Sequence, residues 1–154
     1  MGRIATEVFV LPNANSNGDN PFLVAAVARK ERYRITSIQF RVYLNAALRP
    51  VVAVVPRVQL TLGNQLVPMI ICAPMIPATA EWYERWIDVH FRIGATPGLI
   101  SATGAADRHV IADLPPGLWV EGSLKLEVGF SNPVVDDFFD SAFVFAEQFV
   151  RSGE

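Results

Sequence analysis

The stretch from Asp113 to Phe130, DLPPGLWVEGSLKLEVGF, limits the folds open to this chain more than any other. Leu124, Leu126, Val128 and Phe130 fall on one side of an extended segment, with Lys125 and Glu127 on the other. That period of two marks a half-buried β-strand, because successive side chains of a strand point to opposite faces. Ahead of it, Pro115-Pro116-Gly117 forbids a helix and turns the chain into the apolar run Leu118-Trp119-Val120. The segment reads as turn, short strand, Gly122-Ser123 turn and long strand. The rest of the chain repeats this pattern with no long amphipathic helix, so we expect an all-β, antiparallel β-sandwich of about eight to ten strands.

Thr6–Leu11 is an expected first strand closed by Pro12, followed by the polar loop from Asn13 to Asn20. The N-x-N-x-N-G spacing in that loop is calcium-like, but asparagines replace the carboxylates and no glutamate follows at the right distance, so an ordinary turn or arm is expected. Phe22–Ala28 is apolar throughout and suits a strand buried on both faces or one at a subunit contact. Tyr33–Leu44 is a candidate central strand. Ile38, Phe40, Val42 and Leu44 share one parity and Tyr33 and Ile35 the other, which suggests either a bulge near Thr36-Ser37 or a strand passing between environments. Val51–Val55, held between Pro50 and Pro56, is an edge segment or apolar loop.

Arg57–Leu62 and Gln65–Ile71 flank Gly63-Asn64, the spacing of a two-residue hairpin. A single strand is expected from Trp82 to Ile93, then a long loop over Gly94–Ala106 and a short strand over His109–Ala112. Val134–Asp140 reads as a loop bearing two exposed phenylalanines, and Ala142–Val150 as the last strand. Residues 1–20 form an N-terminal strand and arm, and 21–154 a single domain.

Val58–Ala80 carries no charged residue, yet its prolines at 68, 74 and 77 and the Gly63-Asn64 turn signal exclude a spanning helix. The start of the chain has no apolar core long enough for a signal peptide. A soluble protein without a membrane partner is expected. The single Cys72 cannot form an internal disulfide, and its apolar neighbours predict a buried, inert thiol.

Composition points toward assembly. Charged residues are only 18% of the chain and hydrophobic residues 51%, whereas typical soluble domains are about 25% charged. The surplus apolar surface of so small a domain has its usual outlet in subunit interfaces, which are depleted in charge and enriched in aromatics and arginine. Eleven of the thirteen basic residues are arginine, the cation that tolerates partial desolvation; codon usage in a GC-rich genome would give the same bias. Residues 1–77 hold eight basic and three acidic side chains, and residues 78–154 five and twelve. That asymmetry suits head-to-tail contact between subunits. The scattered arginines and slightly acidic total do not form a nucleic-acid footprint.

No phosphate-binding glycine loop, nucleophile elbow or paired-histidine motif is present. His90 and His109 stand alone in the sequence, and His90 falls on the polar parity of its strand, as a surface histidine would. Asp136, Asp137 and Asp140 form the densest acid cluster, expected as a solvated loop rather than a cation site or glycosidase pair. No catalytic residue, cofactor or metal is expected. The interface candidates are Phe9, Phe22, Val51, Val54, Trp82, Trp86, Phe138 and Phe139, with residues 1–20, 22–28 and 50–56 as contact segments. Trp82, Tyr83, Trp86 and Trp119 offer an alternative, a sugar-stacking platform.

Three patterns carry a resemblance. They are Tyr-x-Ile-x-Ser-Ile-x-Phe at Tyr33–Phe40, Leu-Pro-x-Gly-Leu-Trp at Leu114–Trp119, and Val-x-x-Glu at Val144–Glu147. Together they resemble the jelly-roll virion proteins of tailed bacteriophages over roughly residues 30–150, leaving the first twenty residues as an arm. These motifs record strand and turn positions rather than a site. The resemblance implies a jelly-roll topology and a non-enzymatic cement or decoration protein on the capsid surface. Its implied partners are copies of itself, commonly as a trimer, and the major capsid protein. Other members of the group sit in tails, baseplates or fibres, where a jelly roll can bind carbohydrate or a receptor.

Overall fold

A computed structural model describes residues 2–10, 22–23, 31–45, 53–62, 69–101, 108–120, 124–131 and 137–150. All regular structure among them is β. The strands are β1 (Gly2–Val10), β2 (Phe22–Leu23), β3 (Glu31–Tyr43), β4 (Pro56–Leu62), β5 (Met69–Cys72), β6 (Trp86–Ile93), β7 (Gly98–Ser101), β8 (Arg108–Leu114), β9 (Trp119–Val120), β10 (Leu124–Phe130) and β11 (Phe138–Val150). They form two sheets, ordered β1-β11-β3-β6-β8-β7 with β9 beside β3, and β2-β10-β4-β5. Val58, Val128 and Phe130 of the smaller sheet share one apolar core with Ile38, Phe40, Ile87, Phe91 and Val110 of the larger. Two sheets closing on one core is an arrangement consistent with a β-sandwich. None of the described residues forms a helix long and apolar enough to cross a membrane.

Four antiparallel pairs nest inside one another: β1 with β11, β2 with β10, β3 with β6, and β4 with β5. The β11–β3 and β10–β4 pairings join the nested pairs into the two sheets. The expectation of antiparallel pairing throughout fails at one place, where β6 and β8 run parallel. The chain leaves β6, lays down β7 two positions away, and returns through β8 into the gap, antiparallel to β7. The expected loop over 94–106 therefore contains a strand. Its glycine, alanine and serine have low strand propensity, and the ladder to β8 supplies what composition does not.

β3 is central, and its parity change is real. Ser37 pairs with Phe145 while Ile35 pairs with Ala146, so Thr36 is the extra residue of a bulge. Its hydroxyl donates to the Phe145 carbonyl at 3.0 Å. The bulge lets Tyr33 and Ile35 enter the core along with Ile38, Phe40 and Val42.

The turn ahead of β9 is built as its sequence requires. Gly117 has φ 77° behind Pro116, the left-handed value wanted at the third position of a type II turn. Leu118 then accepts a hydrogen bond at its carbonyl from the Ile35 amide at 2.8 Å. On β10, Val128 and Phe130 are buried as their alternation predicts.

Other expectations are corrected. β6 begins at Trp86, not Trp82, because residues 79–85 coil into turns: the Trp82 and Tyr83 amides donate to Thr79 O, and Glu84 takes φ 57°. β4 and β5 form the expected hairpin pair, but Leu60 faces Met69, two residues beyond the register a two-residue Gly63-Asn64 loop would impose. A shift of two preserves which side chains face inward. Residues 63–68 of that turn lie outside the described residues, as do the polar loop from Asn13, the 24–28 part of the apolar stretch and the Gly122-Ser123 turn. Phe138 and Phe139 open β11, paired to Tyr43 and Val42, rather than standing in a loop.

Candidate functional surface

The outer face of the larger sheet carries a continuous set of cross-strand side-chain contacts. β3 and β6 set Tyr43 opposite Trp86, Arg41 opposite Asp88, and Gln39 opposite His90. β6 and β8 set Asp88 beside His109 and His90 beside Ile111. These residues occupy alternate positions to Val42, Ile87, Val89 and Val110, which fill the core. Period-two geometry thus delivers an aromatic, a cationic, an anionic and an imidazole group to one patch.

Tyr43 and Trp86 meet edge to face, with centroids 5.4 Å apart and planes at 62°. The Arg41 guanidinium lies 5.3 Å from the Trp86 ring centroid, in cation–π range. Its Nε is 3.4 Å from Asp88 Oδ1, an ion pair of two partly exposed groups and so worth little alone. Further along, Arg34 donates to Glu147 Oε2 at 2.7 Å and lies 5.9 Å from the Phe149 ring centroid. Phe149 in turn meets Trp119 edge to face at 5.2 Å.

The two histidines, nineteen apart in the sequence, stack with centroids 5.6 Å apart and planes at 26°. Partial burial, then the neighbouring His109, hold the His90 pKa below its usual value; Asp88 pulls the other way and Arg92 adds to the lowering. His90 is therefore a half-buried member of a pair rather than a lone surface histidine. Sequence spacing could not reveal this, because the parallel β6–β8 register creates the contact.

Asp137 is also misjudged by sequence. It is fully buried and accepts the Asn45 amide at 2.8 Å. Asp140 lies in β11 within the register shift between Phe139 and Ala142, and Asp136 is outside the described residues. The acid cluster is thus not a solvated loop as a unit. Among the described residues, no group of three or more His, Cys, Asp or Glu side chains is placed to hold a metal ion. Cys72 is exposed rather than buried, because its parity turns it outward, opposite Arg57 of β4.

The expected interface residues separate. Val54 and Trp82 are buried in the chain's own core, which removes them from its exposed surface. Trp86 is 37% exposed. Phe9, Phe22, Phe138 and Phe139 lie in β1, β2 and β11, and Val51 is outside the described residues. Of the four aromatics of the sugar-platform reading, Trp82 and Tyr83 are core residues, leaving Trp86 and the partly exposed Trp119. The exposed apolar side chains that sequence reasoning missed are Met69, Ile70, Met75, Ile93 and Ile100. The absence of charge across Val58–Ala80 was the available signal for the first three.

Fold and surface define an all-β protein whose larger sheet bears an aromatic face laced with charge. No protein-family model, curated protein or solved structure matches the chain.

Proposed function

We propose that this chain is a non-enzymatic structural subunit of a tailed-bacteriophage virion, a jelly roll that self-assembles and clamps the capsid shell by bridging coat subunits. The observation that carries the reading is the set of large apolar side chains left in solvent in so charge-poor a chain: Met69, Ile70, Met75, Trp86, Ile93 and Ile100. Apolar surface of this kind marks association sites. The jelly-roll reading is supported by the nesting of first strand with last, second with next to last, and so inward, with β7, β8 and β9 as an insertion before β10. The mechanism is burial: stable contacts cover about 1,000 Å² or more, with arginine hydrogen bonds fixing register. Co-sedimentation with coat-protein shells lacking this subunit tests it. Binding to the shells and a raised shell melting temperature are expected; no affinity for any shell would remove the reading.

A second reading, a carbohydrate- or receptor-binding jelly roll of a tail, baseplate or fibre, is favoured by one observation. Trp86 is an exposed ring on a sheet face, flanked by Tyr43, Arg41 and Asp88. Glycan-array binding that Trp86→Ala abolishes would select it.

A further inference from the structure

The route of the chain from β6 out to β7 and back into β8 leaves a cleft on the outer face of the larger sheet. Its volume is about 430 Å³, and residues 92–96 line it together with Ile100 and Ile111. Small-ligand sites have volumes of about 300–1,000 Å³. β8 lies between β6 and β7 and supplies the floor at Ile111. The register explains the hollow. Ile111 has His90 beside it on β6 and Gly98 beside it on β7. Directly paired residues point to the same face, and a glycine contributes nothing there. A Cβ placed at Gly98 meets no atom within 4 Å, and Gly98, unlike Gly94 and Gly117, does not have a positive φ. The backbone at 98 therefore does not demand glycine, and what its absence of a side chain provides is space.

The rim is held in place. Just past β6, Gly94 takes φ 73°, and its amide donates to Asp113 Oδ1 at 2.9 Å. The Ala95 amide donates to the Arg92 carbonyl at 3.3 Å. Asp113 faces Arg92 across the β6–β8 ladder, but its Oδ1 is engaged with the turn. Arg92 is the only charged residue lining the cleft, and most of the remaining wall is apolar. Ile93 and Ile100 are 41% and 50% exposed.

We infer that this cleft binds a small monocarboxylate with an aliphatic body. The carboxylate pairs with Arg92, and the hydrocarbon lies over Ile93, Ile100 and Ile111. A guanidinium presents its donors in a planar fork that matches the two oxygens of one carboxylate. A single cation on the wall selects a single negative charge on the ligand, whereas a dianion would need a second. The wall carries no aromatic ring, so dispersion and burial against branched aliphatic side chains supply the rest. The inference goes beyond the assembly reading and does not rest on it. Binding is measured on the chain without shells, so either can fail alone.

The test is methyl NMR of the isoleucine-labelled full chain, titrated with acetate, butanoate, hexanoate and hexan-1-ol. Hexanoate should move the Ile93, Ile100 and Ile111 methyls and leave Ile70, exposed on the other sheet, in place. Affinity should rise along the carboxylate series by up to about fourfold per buried methylene. Arg92→Gln should weaken hexanoate about fivefold, the upper end for an exposed ion pair, to the level of hexan-1-ol on the wild type. Gly98→Leu fills the hollow and should abolish the shifts, with the buried Ile38 and Ile87 methyls reporting an unchanged fold. Hexanoate shifts that are absent, or as large at Ile70 as at the three cleft isoleucines, overturn the inference. So does wild-type affinity in a folded Gly98→Leu chain, or in Arg92→Gln, which removes only an exposed charge.

Discussion

Replacing Ile35 by alanine tests the bulge that organises β3. Ile35 is 1% exposed although its sequence parity opposes that of Ile38 and Phe40, and only the extra residue Thr36 turns it inward. The substitution removes three carbons from the core, worth about 0.8 kcal/mol each in transfer free energy. Incomplete relaxation of the cavity brings the expected loss to about 2–5 kcal/mol. Ile38→Ala, on the other side of the bulge, should fall in the same range. Gln39→Ala, on the outer face, should stay within about 0.5 kcal/mol of wild type. Equilibrium urea unfolding followed by tryptophan fluorescence measures all three, with a shifted midpoint and unchanged slope marking a true stability change. Deleting Thr36 should cost at least as much as Ile35→Ala, since it returns both Tyr33 and Ile35 to the outer face. An Ile35→Ala midpoint indistinguishable from wild type would refute the bulge and the register built on it.

Further predictions separate buried from exposed groups. His90 has a pKa lowered by burial and by His109, so the folded state binds fewer protons than the unfolded one. Its contribution is complete above the unfolded value of about 6.5 and is lost as pH falls toward the lower folded value. Melting temperature should therefore drop between about pH 7 and pH 5, and His90→Gln should flatten part of that drop. Asp137→Ala leaves the Asn45 amide without its carboxylate acceptor, which should cost about 1–3 kcal/mol by urea unfolding. Trp82→Ala should cost about 3–5 kcal/mol as a core truncation. Trp86→Ala, which loses mainly the Tyr43 edge contact and the Arg41 cation–π contact, should cost about 1–2 kcal/mol. Equal costs for the two tryptophans would contradict their placement.

What sequence made legible follows from the range of each signal. Alternation along one strand is local, so β10 and the Thr36 bulge were readable from Leu124–Phe130 and Tyr33–Leu44, while β11 was readable only from Ala142 onward, as a run apolar on both parities. The short β9 strand was readable because Pro116-Gly117 dictates the turn before it. Signals that depend on a partner strand were not. β7 contains only Leu99 and Ile100 as strand-favouring residues, and β8 makes it a strand by pairing. The histidine pair arises from a parallel register that no spacing rule anticipates. The turn at 79–85 depends on left-handed backbone at Glu84, which its residue type does not announce. Cys72 was misjudged because an apolar run fits an exposed edge as well as a core, and only the ladder opposite Arg57 distinguishes them.

The proposed assembly requires the exposed apolar side chains to be covered by neighbouring subunits. Sedimentation velocity of the purified chain across a wide concentration range, without and with coat-protein shells, measures that directly. The prediction is a discrete particle of two or more 16.9 kDa subunits that pellets with the shells. A single 16.9 kDa species at every concentration, left in the supernatant when shells are pelleted, would contradict it.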